Sequence, residues 1–226
     1  MHKIISMKKV NLRKALDKAR KAAEGLVRDG SALDAYWEIC CGDVLVAEEN
    51  LRDRDREWEN ASLAREFLDI ADYLESYDVM LDRLDAAASR MTDAISDHPS
   101  LKLRLLEFRL LVLNRIESMC GHETSLSEYL ESDIGTYRHN IECADNGDFG
   151  NIRQTGHLKS DPVEWTSEYE SVIDEVLKKV SARLKGHPRG MGFCHAFWYA
   201  KAAVLREDYG IEWRSPAVMN PGTMFD

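Results

Sequence analysis

Apolar positions recur every three or four residues along most of this chain. The positions Leu33, Trp37, Cys40, Val44, Ala47, Leu51, Arg54 and Trp58 keep a 4-3-4-3 rhythm, and Leu63, Phe67, Ile70, Leu74, Tyr77, Leu81, Leu84, Ala88, Met91 and Ile95 repeat it without a miss. Such a spacing winds one apolar stripe along an α-helix and asks for a partner stripe. The two stripes are out of phase. One continuous helix would need a stutter, whereas a turn at Glu59 to Ser62 needs nothing special. Asn60 or Ser62 is then the expected N-cap of the second helix. The pattern predicts a long antiparallel helical hairpin over about residues 31–97, with arms of roughly 40–50 Å at 1.5 Å per residue.

Leu12, Leu16, Ala19, Ala23 and Leu26/Val27 give a shorter amphipathic helix before the hairpin, ending near Gly30. After the Asp97-His98-Pro99-Ser100 turn comes LKLRLLEFRLLVLNRIES, apolar on most of its circumference, as expected of a helix covered on several sides. Residues 1–118 are thus expected to hold a helical bundle of four helices. The second half, 119–226, carries more breakers: all five prolines and ten of thirteen glycines follow residue 98. Ser125 with Glu128 reads as a capping box, with Leu126, Leu130, Ile134, Tyr137 and Ile141 on one face. Residues 145–160 read as a loop. Asp161-Pro162 or Thr166-Ser167 starts the next helix, whose face is Tyr169, Ile173, Val176, Val180 and Leu184. A last helix runs from about Phe193 to Tyr209, with Gly210 as its stop, and 210–226 is an irregular tail apolar enough to dock. The fold class is all-α: a helical bundle on a long hairpin, with a smaller C-terminal helical part packed against it.

Charge sharpens the picture. The chain carries 30 Lys+Arg against 40 Asp+Glu, a net of −10, which argues against bulk nucleic-acid binding. The imbalance is uneven: residues 1–21 hold eight Lys/Arg and one acid, whereas 29–97 hold nineteen acids and six arginines. A basic first helix beside an acidic hairpin relieves self-repulsion; outside the chain it would meet nucleic acid, anionic lipid or an acidic partner. Alternating charges at Arg52-Asp53-Arg54-Asp55-Arg56-Glu57 are read as helix-stabilising pairs. In the most hydrophobic segment the apolar run is only Leu110–Leu113, far short of the roughly 20 residues of a bilayer span. Five scattered cysteines and no signal-like N-terminus point to a reduced, cytoplasmic protein.

Chemistry has few carriers. Cys120 and His122, followed by His139 and Cys143 at i, i+4, offer the ligand types of a tetrahedral zinc site if the preceding turn folds back. The acidic helices could hold a divalent cation only through inward carboxylates, yet Asp69 falls opposite Phe67 and Ile70, and Glu49 opposite Val44 and Leu51. No nucleophile elbow, P-loop or dinucleotide glycine pattern is present. Phe193, Phe197, Trp198 and Trp213 form a late aromatic cluster, expected either to line a pocket or partner surface or to plug the tail onto the bundle. The expectation is a non-enzymatic protein–protein interaction or regulatory module, with a protein partner or self-association. The alternatives are a metal-dependent enzyme or zinc-stabilised protein, and a nucleic-acid-linked protein acting through its basic helix or acidic mimicry.

Overall fold

The computed structural model describes residues 11–122 and 124–225. Among them the chain is all-α, in nine helices: α1 (Leu12–Ala23), α2 (Leu33–Asp53), α3 (Asn60–Glu75), α4 (Leu81–Asp93), α5 (Pro99–Cys120), α6 (Ser125–Asp145), α7 (Ser167–Arg183), α8 (Phe193–Tyr209) and α9 (Pro216–Met219). Short 3-10 turns sit at Glu57–Glu59, Asp78–Met80, Phe149–Asn151 and Pro162–Trp165. No helix here is long and apolar enough to cross a membrane.

The expected hairpin is corrected in three ways. α2 stops at Asp53, so its 21 residues reach only about 31 Å. The reversal falls at 54–59 rather than at 59–62, and most of the alternating charges form it instead of pairing along a helix. The second arm is two helices, not one. Leu63, Phe67, Ile70, Leu74, Leu81, Leu84, Ala88, Met91 and Ile95 are all buried as the stripe requires, but the backbone breaks at Tyr77, which is extended (φ −115°, ψ 112°). Arg115 of α5 stabilises the break by donating to the freed carbonyl of Glu75 and to the Asp78 carboxylate. The bend leaves α3 against α2 and turns α4 onto α5. The bundle is therefore built from five helices.

Two expected caps are also corrected. Asn60 does not cap α3: its side chain is buried and donates to the carbonyls of Ala47 (3.2 Å) and Ala94 (3.0 Å) while accepting from Asn50 (2.7 Å). Those bonds tie α2, α3 and the end of α4 together. At α6 the first turn is held by Thr124, whose N–H and hydroxyl both donate to Glu117, in place of a Ser125–Glu128 box. Thr166 caps α7 as expected, accepting from Tyr169 N at 3.1 Å.

One core joins α1 to α5 around Phe67, Leu74, Leu84, Met91 and Leu105. A second joins α7, α8 and the tail through Tyr169, Ile173, Val176, Val180, Val204, Ile211 and Trp213. A small third core, Leu106, Leu113, Leu130 and Ile134, fixes α6 on α5. The basic α1 lies along the acidic helices of its own chain: Arg13 bonds Glu59 and Asn50, and Arg20 bonds Glu66 and lies 3.4 Å from Asp43. Just beyond it, Arg28 bonds Asp69. Lys3, Lys8 and Lys9 lie outside the described residues.

Candidate functional site

The four expected metal ligands do not converge. His139 and Cys143 do meet, with Sγ 3.6 Å from Nε2, but that nitrogen lies 2.9 Å from the carbonyl of Asn151. Arg138 bonds Glu107 across the α5–α6 pair, so this stretch of α6 stands level with residue 107. Cys120 is thirteen residues further along α5, roughly 20 Å away. His122 instead lies 3.3 Å from the carbonyl of Cys120. Antiparallel packing of α5 and α6 thus separates the two halves of the set. Among the described residues no group of three or more His, Cys, Asp or Glu is placed to hold a metal. The five cysteines are free thiols.

The aromatic cluster divides in two. Trp213 is buried and Trp198 packs edge-on against Phe225 (ring centroids 5.1 Å apart) and His195 (5.4 Å), which fastens the tail. Lys159 and Asn220 bond reciprocally further along it. Phe193 and Phe197 instead line an apolar slot of about 40 Å³, together with Trp58, Leu177, Ser181 and Leu184. Arg54, Arg56, Glu57 and Arg189 form its rim.

The turn that makes one wall of this slot is strained. Arg54 (φ 48°) and Arg56 (φ 58°) are the non-glycine residues of the described chain with left-handed backbone, a conformation that costs a residue with a Cβ of order 1 kcal/mol. Arg189, from the loop between α7 and α8, holds the turn by donating to the carbonyls of Asp53 (3.0 Å) and Arg54. Its guanidinium also lies 5.8 Å over the Phe193 ring. Arg56 bonds Glu59, whereas Arg54 has no ion-pair partner among the described residues.

Behind the slot lies a buried ionic network that the residue spacing does not reveal. Lys201 of α8 is 5% exposed, and its Nζ donates to Asp97 Oδ1 at 3.0 Å. The Tyr169 hydroxyl donates to the same oxygen at 2.8 Å. The ammonium lies 4.7 Å from the Trp213 ring and 5.4 Å from that of Tyr169. Trp213 Nε1 donates to Glu164 Oε1 at 2.6 Å, and Arg214 makes three bonds to Asp161. His98 and Asp174 stand 3.1 Å apart nearby, out of hydrogen-bond alignment.

The electrostatics follow from this geometry. Burial raises the Asp97 carboxyl, but the charge and bond of Lys201 and the Tyr169 hydroxyl outweigh it, so the net shift is downward. Burial raises Glu164 to about 7, and only part of that is offset by Lys201 and Trp213. Burial and then the charge of Asp97 also raise Glu57, which belongs to the slot rim and so connects slot and network. Away from this region, Asp43 is fully buried in the α1–α2–α3 core. Burial and then the neighbouring Glu66 push its carboxyl upward, against the pull of Arg20.

One signal for the network is present in the sequence. Lys201 lies at i+4 from Phe197 and three residues before Val204, a lysine on a face expected to be buried. Nothing in the spacing identifies its partner in the segment before Pro99. No family model matches the chain, and no curated protein or solved structure matches it either.

Proposed function

We propose that this is a non-enzymatic interaction module whose partner inserts one apolar side chain into the slot between the 54–58 turn and α8. The carrying observation is the slot itself, apolar within and ringed by arginines on a strained turn. Its volume of about 40 Å³ suits a side chain, being far below the roughly 300–1,000 Å³ of substrate and cofactor pockets. Interface anchors are characteristically single side chains in desolvated pockets. Arg54 makes no ion pair among the described residues, its nearest counter-charge being Glu57 on the same rim, and with Arg56 and Arg189 it favours a partner segment with carboxylates beside its anchor residue. Five free thiols suit a reducing compartment, and we place the protein in the cytoplasm.

Selection of displayed random peptides on the full chain tests this reading. Enriched peptides should carry one aromatic or branched residue flanked by Asp or Glu. Their binding should fall at least tenfold in Arg54→Glu, which reverses the rim charge, and in Ser181→Phe, which fills the slot from α7. Peptides that bind both folded variants as well as the wild type, or no enrichment at all, would overturn it. One zinc per chain in native mass spectra of the purified protein would instead revive the metal-dependent alternative.

A further inference from the structure

Between α6 and α7 the chain runs from Asp145 to Ser167 with only two short 3-10 turns. Connections of that length are uncommon in compact domains unless they are disordered or carry function, and this one is firmly held. Asn140 of α6 is fully buried, and its amide clasps the backbone of Arg153. The Arg153 N–H donates to Oδ1, and Nδ2 donates to the Arg153 carbonyl, both at 2.8 Å. Asn220, at the end of α9, repeats the device on Lys159 with bonds of 2.9 and 2.8 Å. A buried amide is costly unless it is bonded. Both clasps fall on the residues that carry the arginine and the lysine of this connection.

Those two side chains line one groove of about 190 Å³ between the loop and α9. Its walls are apolar at Phe149, Ile152, Pro162 and Met219, and Phe149 is left 45% exposed. The polar part brings together Arg153, Lys159 and the hydroxyls of Thr155 and Ser160, with no carboxylate in the lining. Asp161 pairs with Arg214, while Asp145 and Asp148 accept from Ser167 and Asn151. Among the described residues neither Arg153 nor Lys159 has an ion pair. Two cations beside an apolar floor make a local positive field in a chain of net charge −10. A carboxylate would balance only one of them. A phosphate monoester carries close to two charges at pH 7 and three acceptor oxygens, enough for both cations and both hydroxyls, and arginine meets it with two parallel bonds. The apolar walls require a ring or branched body on that phosphate. The volume is below the roughly 300–1,000 Å³ of drug-sized sites, so the body must be small.

We propose that this groove binds a small organic phosphate monoester, its phosphate on Arg153, Lys159 and the two hydroxyls and its apolar body against Phe149 and Met219. The groove shares no lining residue with the slot and does not depend on it. Titration of the full chain with phenyl phosphate, followed by amide NMR, tests the site. The amides of Arg153, Thr155 and Ser160 should shift and saturate with a Kd below about 1 mM. Inorganic phosphate, which lacks the body, and benzoate, which lacks the second charge, should each bind about tenfold more weakly or worse. Arg153→Gln and Lys159→Gln should each lower the affinity about tenfold. Both should melt at the wild-type temperature, since these side chains are exposed and the clasps use only backbone groups. Met219→Ser should weaken phenyl phosphate and leave inorganic phosphate unchanged. Absence of saturable shifts would overturn the proposal, as would inorganic phosphate or benzoate binding as well as phenyl phosphate, or an affinity that survives both charge removals. A phosphotyrosine peptide that binds more tightly than phenyl phosphate would overturn the small-molecule assignment in favour of a protein partner.

Discussion

Replacing Lys201 by methionine tests whether the buried network holds the C-terminal helices to the bundle. Lys201 and Asp97 stand 3.0 Å apart, where Coulomb attraction at an effective dielectric constant near 20 is about 5.5 kcal/mol. Desolvation of both charges offsets most of that, so the pair adds little beside two apolar residues. Removing one partner is different, because the other stays buried and uncompensated, at about 3–5 kcal/mol. Tyr169 would still donate to the stranded Asp97, which places Lys201→Met near the lower figure, about 3 kcal/mol. Asp97→Asn strands Lys201 and should cost about as much. The double variant buries no unpaired charge and should lie within about 1–2 kcal/mol of the wild type, a coupling of several kcal/mol. Urea unfolding at pH 7, followed by circular dichroism, measures all four corners of the cycle. In the wild type, the depressed Asp97 contributes stability that is complete above the ordinary 3.8 and is lost as pH falls through its lower folded value. In Lys201→Met the same carboxyl takes up a proton on folding, so the variant's deficit should shrink between pH 7 and 4. Additive single losses, or a loss below about 1 kcal/mol for Lys201→Met, would show that the pair does not lock the two parts together.

Two further substitutions probe the groups around it. Glu164 is raised from an ordinary 4.5 to about 7, so the stability it confers is complete below 4.5 and lost as pH rises through 7. Glu164→Gln keeps an acceptor for Trp213 Nε1 and removes that loss. Calorimetry should find it close to the wild type at pH 5 and more stable by up to about 3 kcal/mol at pH 8.5, and a gap that ignores pH would refute the assignment. Arg54→Gly removes a left-handed residue that has no ion pair among the described residues. It should stabilise the chain by about 0.5–1 kcal/mol while weakening binding of slot-selected peptides. A loss of stability in Arg54→Gly would mean that the turn is not strained.

The stripes are legible because burial is what periodicity records. Nearly every position of the Leu63–Ile95 stripe is buried, and α8 begins and ends where the residues imply. Periodicity does not record whether the backbone is continuous between two turns of one stripe. A single 3-10 turn at Asp78–Met80 keeps Leu74, Tyr77 and Leu81 in register while redirecting the axis. The side chain that holds the broken segment is Arg115, some 40 residues away, and no local spacing contains it. The same holds for Asn60, a good cap by type, whose side chain is engaged by Asn50, Ala47 and Ala94. The zinc set fails on the converse ground: its residues are near in number, but antiparallel helices bring together positions symmetric about the connecting turn. His139 therefore belongs beside residue 107, not beside Cys120.

Slot and lock share their supporting elements, and that bears on why the strained turn persists. A left-handed Arg54 and Arg56 would relax if the 54–59 segment were free, since nothing in their own chemistry prefers that conformation. Arg189 grips the backbone carbonyls from one side. From the other, Trp58 packs into the α7–α8 core. That core is fixed to the 97–101 segment by Lys201 and Tyr169 on Asp97, and by Glu170, which accepts from the N–H groups of Ser100 (2.9 Å) and Leu101 (3.1 Å). The turn is thus over-determined from two directions by contacts distant in sequence. Its walls are therefore set by the chain's own contacts, and under the proposed function such a slot would take an anchor of a few atoms without the entropy loss of ordering its own site.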